Sequence, residues 1–360
     1  MTVSYSSPLG ATSNKAPACP TLLEENPPVA VVIVAFDDEV SILAAAERVA
    51  VGSSYPNLSV IGINNGSKRG TATIKISDKV ELIHTGLNKG FASGCNIGVK
   101  IALTKGAKFV FLLNNDASPA GGCIERMVKM LIDEPDVGLL CSAVVCDGSD
   151  LVESAGDRYN SWLGLTLHGA KGRKLREISG TRPRVDFAPA VALMARAERL
   201  RELGFLDTRY FMYFEDLDLS IRTKRAGYSL SCLTESYVSH ITSSTSKRYP
   251  GLKEYYMMRN RFILCLLLRR RIQLVTVALS TPWVLLLRIM RTLPSPNPDE
   301  LRGLCYGIVD GMKLNYGPSS REAYAPGSPE GRRPTPSNGR ARSPAEIVRP
   351  SHGDEGRANP

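Results

Sequence analysis

The chain has 360 residues, 43% of them hydrophobic and 22% charged, with 45 Lys and Arg against 35 Asp and Glu for a formal net charge of +10. That length buries a sizeable core, as one large domain or two ordinary ones, and the composition excludes a collagen, a coiled coil and a wholly disordered chain. A basic excess suits a polyanionic partner (nucleic acid, an anionic membrane or a phosphorylated substrate), so the position of the charge decides among them.

Residues 1–27 are polar, rich in Ser, Pro and Thr, and lack the apolar stretch of a secretory signal, so a flexible lead-in is expected there. Residues 29–36 are a continuous β-branched run, the pattern of a strand buried on both faces. Residues 40–51 show helical spacing, 58–63 and 80–84 read as strands, 91–103 as a helix and 109–113 as a strand. This alternation predicts an α/β fold: a mixed, mostly parallel sheet flanked by helices, with ligands bound beyond the carboxyl ends of the strands. Three polar loops leave those ends: Asn64-Asn65-Gly66-Ser67, Gly86-Leu87-Asn88-Lys89-Gly90 and Asn114-Asn115-Asp116. Each alone is ordinary turn chemistry; three on one rim suggest a site. Ala117-Ser118-Pro119 is expected to start a helix.

Residues 147–184 carry no clear period, and 185–194 are apolar again. A short helix is expected over 196–203, stopped by Gly204. The aromatic run 211–214 leads into Glu215-Asp216-Leu217-Asp218, then a helix over 219–226 with Gly227 as its cap. Short strands are expected over 228–233 and 237–240.

The final third changes character. The apolar run 272–287 is shorter than the ~20 residues of a spanning helix and is interrupted by Gln273, Thr276, Ser280, Thr281 and Pro282. Between residues 259 and 302 lie eight Arg against Asp299 and Glu300, a local charge of +6. Residues 246–316 are therefore expected to form amphipathic helices on an anionic membrane surface, a buried helix pair being the alternative. From 317 to 360 Pro, Gly, Ser and Arg dominate, the composition of a disordered tail. The Arg residues accompany apolar runs rather than aromatic platforms, which argues against nucleic acid. The eight cysteines form no C-x-x-C pair and no zinc-spaced cluster, so reduced thiols and a cytoplasmic location are expected.

Two features carry chemistry. Asp116, at a strand end, has the carboxylate a hard divalent cation needs while bridging a diphosphate. Glu215, Asp216 and Asp218 crowd three acids into four residues. A helix N-terminus accounts for one or two of them through its dipole, but the apolar wall before them leaves room for a general base.

Several blocks stand in consistent order over residues 29–265. They are Val31-Val32-Ile33-Val34-Ala35-Phe36, Asn64-Asn65-Gly66-Ser67, residues 88–98 (NKGFASGCNIG), Leu112-Leu113-Asn114-Asn115-Asp116 and residues 211–222 (FMYFEDLDLSIR). Arg225-Ala226-Gly227-Tyr228, Val238-Ser239-His240 and residues 256–261 (YMMRNR) follow. With these the chain resembles family 2 glycosyltransferases of the GT-A fold, in the rhamnosyltransferase-like branch. The resemblance implies a catalytic domain over 28–245 that moves a sugar, rhamnose among the candidates, from a nucleotide-diphosphate donor to an acceptor hydroxyl with inversion. The acceptor would be a lipid-linked glycan or a polysaccharide of the cell surface. By position Asn114-Asn115-Asp116 matches the DXD motif, with Asp116 and His240 as ligands of Mg²⁺ or Mn²⁺. Asp216 matches the catalytic base and Glu215 its acidic neighbour. Ala35, Phe36, Asp37, Asn64, Asn65, Asn88 and Gly90, with Asn114 and Asn115, match the donor-binding loops.

The chain departs from the family pattern at Asn64, where Asp is usual, at Asp37, where Asn is common, and at Val185-Asp186-Phe187-Ala188-Pro189-Ala190-Val191, where small Ser/Gly residues are usual. The reading from a different class is a catalytically silent nucleotide-sugar-binding or scaffold protein of a glycan-assembly complex. Both would work at the cytoplasmic face of a membrane, with a homo-oligomer compatible with either.

Overall fold

The structure is a computed structural model that describes residues 25–66, 70–181, 183–241, 249, 251–292 and 297–321. Most of the lead-in expected over 1–27 and of the tail expected from 317 onward lies outside the described residues.

The β-branched run forms β1 (Val29–Ala35), and every one of its residues is buried. It pairs in parallel with β2 (Leu58–Asn64) on one side and β5 (Phe109–Asn114) on the other. β2 continues in parallel to β4 (Val80–Thr85). The crossovers are helices α1 (Glu39–Gly52) and α2 (Phe91–Thr104). Alternate residues of β1 face opposite layers, as the strand period requires. Val31 and Ile33 pack with Ile42 of α1 and Met127 of α3 (Cys123–Asp133), while Val32 and Val34 pack with Cys95 and Val99 of α2. Gly94 and Gly98 make the second contact close: a Cβ at either would strike Val34 or Val32. The small-residue face of 88–98 thus sets the seating of α2 on β1.

Ten strands share one sheet in the order β3-β4-β2-β1-β5-β11-β7-β12-β6, with β8 added on β7. β3 (Thr71–Lys75) is an edge strand with every residue exposed. β11 (Ala192–Arg196) runs antiparallel between β5 and β7 (Val137–Cys146). β12 (Ser229–His240) runs parallel to β7, and β6 (Ala117–Pro119) closes the edge antiparallel to β12. The segment without a period, 147–184, supplies β8 (Val152–Ser154) and the hairpin of β9 (Arg158–Asn160) and β10 (Leu165–Leu167).

Three local expectations are corrected. Ala117-Ser118-Pro119 is a strand, not a helix start, and Pro119 is tolerated because β6 is an edge. The two strands expected over 228–233 and 237–240 are the single strand β12, whose register shifts between Leu233 and Tyr237 as at a β-bulge. Helix α5 (Glu215–Arg225) begins at the acids themselves, and Gly227 follows its end at φ +89°.

After α4 (Ala197–Leu203) and α5, the chain ends in three helices: α6 (Leu252–Leu267), α7 (Arg271–Thr292) and α8 (Pro298–Met312). The helix over the apolar run is longer than the sequence suggests. Arg271–Met290 is 20 residues with mean hydropathy 1.6, enough by length and composition alone to cross a membrane. It is nonetheless two-faced. Val277, Thr281 and Val284 are buried, whereas Ile272 is 68%, Leu279 77% and Trp283 65% exposed. Two of the eight arginines counted toward a membrane surface, Arg259 and Arg261, are fully buried instead.

Candidate active site

The rim of the site is built where β1, β2, β4, β5 and β12 end. Loop β1–α1 carries Phe36 and Asp37. Asp37 takes φ +49°, and its carboxylate lies against the bare Cα of Gly66, where any Cβ would collide with it. The Phe36 ring packs on Tyr249 with centroids 5.9 Å apart. The next two loops are tied to each other by amides. The Asn65 amide N–H donates to Ala35 O at 2.7 Å. Its side-chain Nδ2 donates to Asn88 Oδ1 (3.2 Å) and Gly90 O (2.9 Å), while its Oδ1 accepts from the Lys89 amide (3.1 Å) and the Thr85 hydroxyl (3.3 Å). Asn88 Oδ1 also accepts from the Gly90 amide at 3.0 Å. The expected donor-binding role of Asn65 and Asn88 is therefore recast. The Asn65 amide and the Asn88 Oδ1 are spent on holding the rim in shape. Gly90, at φ +83°, allows Phe211 to approach at a distance no Cβ would permit. Asn64 differs, since its Nδ2 meets His84 Nδ1 at 3.2 Å but its buried Oδ1 has no partner.

Asn114, Asn115 and Asp116 diverge. The Asn114 amide donates to Val191 O at 3.0 Å. Asn115 turns toward α1, its Nδ2 donating to Ser41 Oγ at 2.7 Å while Arg48 donates to its carbonyl at 2.8 Å. Two of the polar groups of Asn115 are thus engaged with α1. Asp116 faces β12, because the β6–β12 register sets Ala117 opposite His240. The Ile241 amide donates to the Asp116 carbonyl at 2.9 Å.

His240 Nε2 lies 3.1 Å from Asp116 Oδ1, yet both buried atoms lack a partner of hydrogen-bond geometry. On the other side of the ring, Glu153 Oε2 sits 2.8 Å from Nδ1. A carboxylate there fixes the tautomer with hydrogen on Nδ1 and frees Nε2 to ligate. Burial alone would lower the His240 pKa, but the neighbouring Asp116 and Glu153 carboxylates outweigh it and hold the imidazole at about 9, so that a cation at Nε2 would have to displace its proton. Glu153 lies in the stretch without periodicity, on a three-residue strand, and nothing in the sequence singled it out. A divalent cation fits this pair. Among the described residues no third His, Cys, Asp or Glu joins them, which suits a hard cation held by one or two protein groups and substrate phosphates.

The second acid group sits at the start of α5. Asp216 is partly exposed, with Oδ2 accepting from the Ala190 amide (3.0 Å) and Oδ1 from that of Leu217 (2.9 Å). Burial raises its pKa to about 6; the two amides pull it down and the charge of Asp157 adds to the rise. Glu215 is 3% exposed, its Oε2 unpartnered, and burial and then the Asp216 charge push it far above the usual carboxylate range. Negative charge therefore rests on Asp216 while Glu215 stays protonated. Asp218 belongs elsewhere. It holds Arg222 Nε at 2.6 Å and accepts from the Tyr210 hydroxyl at 3.4 Å, and Arg222 in turn donates to the Leu203 and Phe205 carbonyls.

Adjacent residues link the two groups. Ala190 gives its amide to Asp216, and Val191 accepts from Asn114, two residues before Asp116. Tyr213 is close enough to both groups to feel their field, and its phenol is pushed up chiefly by burial. The two acid groups thus lie on neighbouring stretches of backbone at the carboxyl end of β5.

The loop before α5 is strained: Phe211, Tyr213 and Phe214 all have positive φ, at 68°, 62° and 76°. Such conformations cost about 1–3 kcal/mol each and persist only when the surroundings impose them. Asn260 of α6 imposes them here. Its Nδ2 is within hydrogen-bond distance of the carbonyls of Tyr210 (3.3 Å), Met212 (2.9 Å) and Tyr213 (2.7 Å). Arg259 adds a bond to Tyr210 O at 2.7 Å and lies over the Tyr256 ring.

Comparison with known proteins agrees with this architecture. The fold is that of the GT-A glycosyltransferases. A solved structure, GalNAc-T7 with UDP, GalNAc and Mn²⁺, superposes with a TM-score of 0.52 at 13% identity, over 67% of this chain and 48% of that one. The chain thus spans about half the length of that structure. Residues 30–201 match the family model for Glycosyl transferase family 2. An N-acetylglucosaminyl-diphospho-decaprenol L-rhamnosyltransferase of Mycobacterium tuberculosis is 26% identical over 216 residues, which is 54% of this chain and 70% of the relative. The dTDP-rhamnosyl transferase RfbF of Shigella flexneri is 22% identical over 199 residues, 52% of this chain and 63% of the relative. Over residues 30–201, just under half of its length, the chain is thus similar to family 2 glycosyltransferases, and two of the relatives it resembles are rhamnosyltransferases.

Proposed function

We propose that the chain transfers a deoxyhexosyl residue, rhamnose first among the candidates, from a nucleotide-diphosphate donor to a hydroxyl of a lipid-linked or polysaccharide acceptor. The observation that carries this is the pairing of two acid groups: Asp216 held by two amides, and near it the buried Asp116–His240 pair, whose Oδ1 and Nε2 lack hydrogen-bond partners. The two rhamnosyltransferase relatives support the choice of sugar.

Asp216 accepts the proton of the acceptor hydroxyl as that oxygen attacks the anomeric carbon from the face opposite the leaving group. Its two amide bonds fix the carboxylate, and its raised pKa gives the basicity proton abstraction needs. Glu215 remains neutral beside it and concentrates the charge on one oxygen pair. Asp116 and His240 would hold Mg²⁺ or Mn²⁺, which when bound neutralises charge on the departing diphosphate. Phe36, Asp37 and Asn64 line the nucleotide end of the rim, the unpartnered Asn64 Oδ1 being placed to accept from a base or ribose. The departure at 185–191 is compatible with activity, because Ala190 supplies the amide that orients Asp216.

The exposed apolar stripe of α7, with Arg270, Arg271 and Arg288 at its ends, supports attachment to the cytoplasmic face of an anionic membrane, where lipid-linked acceptors sit.

A donor panel (dTDP-rhamnose, UDP-hexoses, UDP-galactofuranose, GDP-mannose) with Mn²⁺ or Mg²⁺ tests the reading through thermal stabilisation and nucleotide release. Asp116→Ala is expected to abolish the metal-dependent part of the stabilisation. A protein that no donor stabilises, with or without metal, would instead be a scaffold.

A further inference from the structure

A second polar cavity, of about 320 Å³, opens at the far end of α5, between that helix, Tyr159 of β9 and the α6–α7 connection. It lies nine residues along α5 from Asp216, about 13 Å, and shares none of the cleft residues. Its charges do not balance. Lys224 is satisfied by Asp186, Nζ to Oδ1 at 2.5 Å. Among the described residues Arg225 donates only to the Leu268 carbonyl, at 3.3 Å. Among the described residues no carboxylate forms an ion pair with Arg225 or Arg270, and the two guanidinium groups repel each other, so that burial and then Arg270 lower the Arg225 pKa. Facing them is the Tyr159 hydroxyl, buried and without a hydrogen-bond partner. Two cations without an acid and a phenol without an acceptor specify the missing component: a compact anion with several acceptor oxygens. Phosphate suits paired guanidinium groups.

The position of the cavity indicates where that phosphate comes from. Arg270 immediately precedes α7, and the exposed stripe of that helix (Ile272, Val275, Leu279, Trp283, Met290) begins two residues later. Arg269, at φ +55°, makes the turn from α6 that directs Arg270 into the cavity. A helix lying in the interface with this stripe down sets residues just outside its N-terminus at headgroup level.

We propose that the cavity is a phosphate site that takes the headgroup phosphate of an anionic bilayer lipid and fixes the orientation of the protein on the membrane. It rests on the membrane attachment proposed above and is independent of the transfer chemistry.

The test is flotation of the full chain with phosphatidylglycerol-containing vesicles, with pure phosphatidylcholine vesicles and inorganic phosphate as the other arms. Binding to phosphatidylglycerol should fall on the order of tenfold in Arg225→Gln/Arg270→Gln, with phosphatidylcholine binding and donor-induced thermal stabilisation unchanged. Tyr159→Phe keeps the ring packed and should give a smaller loss in the same arm; it carries the test alone if the double variant melts early. Wild-type retention of the double variant on phosphatidylglycerol would overturn the proposal, as would thermal stabilisation by inorganic phosphate that survives the double substitution. Turnover by an Asp216→Asn variant would sink the transfer mechanism without moving any of these readings.

Discussion

Glu215 and Asp216 are neighbours in sequence whose surroundings push their proton affinities apart. Asp216 receives two backbone amides and part of its surface is wet; Glu215 has an orphaned oxygen and almost no solvent. Asp216→Asn keeps the shape and removes the base, so turnover should drop about 10²–10⁴-fold with donor binding intact, as read from nucleotide release beside thermal stabilisation. The pH dependence follows from the same carboxylate. A base must be ionised to act, so the rate should fall as pH drops through about 6. The effect on stability has the opposite sense. Because folding raises the Asp216 pKa above its ordinary value, its contribution is greatest at low pH and is lost as pH rises through about 6. Melting curves between these limits should show that loss in the wild type and not in Asp216→Asn. Across the cleft, Glu153 acts through His240. Glu153→Gln should weaken Mn²⁺ binding about 10–100-fold while preserving the fold, measurable by calorimetry without any turnover.

At the scale of elements, the site depends on two pieces of backbone that position it from behind. The β6–β12 pairing brings His240 to Asp116, and the strained turn over 211–214 delivers Glu215 and Asp216 at the first turn of α5. Asn260 holds that turn through three carbonyls. Asn260→Ala should therefore lower kcat more than donor affinity and cost about 2 kcal/mol of stability, as buried carbonyls lose their donor; paired kinetics and denaturation check both. The sequence made the parallel half of the sheet legible because a strand buried on both faces is written as an unbroken apolar run, as in β1. It put Asp116, Asp216 and His240 forward as site candidates because their blocks are specific. It left β3 unread because its alternation, Thr-Ala-Thr-Ile-Lys, is only five residues long and buries neither face. It left Glu153 unread because a strand of three residues has no period at all. Asn65 and Asn88 were legible as polar loop residues, but only coordinates show that their amides are consumed by each other. The split reading of β12 failed at its bulge, where the register shift mimics the end of a strand.

At the scale of the whole molecule, the chain divides its basic residues between two uses. Arg259 and Arg261 are internal ties: Arg259 binds the Tyr210 and Gly317 carbonyls, and Arg261 binds Leu163 O and Ser280. Burial lowers the Arg261 pKa to about 10, so even this guanidinium remains charged at neutral pH. The net charge of the C-terminal third is thus a poor guide to how much of it faces a membrane. The faces of α7 are the better guide. Its inward residues Val277, Thr281 and Val284 are buried against α6 and α8, and the opposite stripe is apolar and open. A helix so fastened on one side would have to leave its partners to cross a bilayer, losing the burial that holds it; lying in the interface keeps both faces covered. The two outcomes separate experimentally. Leu279→Glu and Trp283→Glu should each reduce vesicle binding about tenfold, the transfer value of one large apolar side chain, and leave donor stabilisation untouched. Val284→Glu, on the inward face, should instead lower the melting temperature. A spanning helix would show no such asymmetry: charge on either face would be equally damaging, and alkaline carbonate would fail to strip the wild-type protein from membranes. Release by carbonate, together with the one-sided effect of Leu279→Glu, is the expected result.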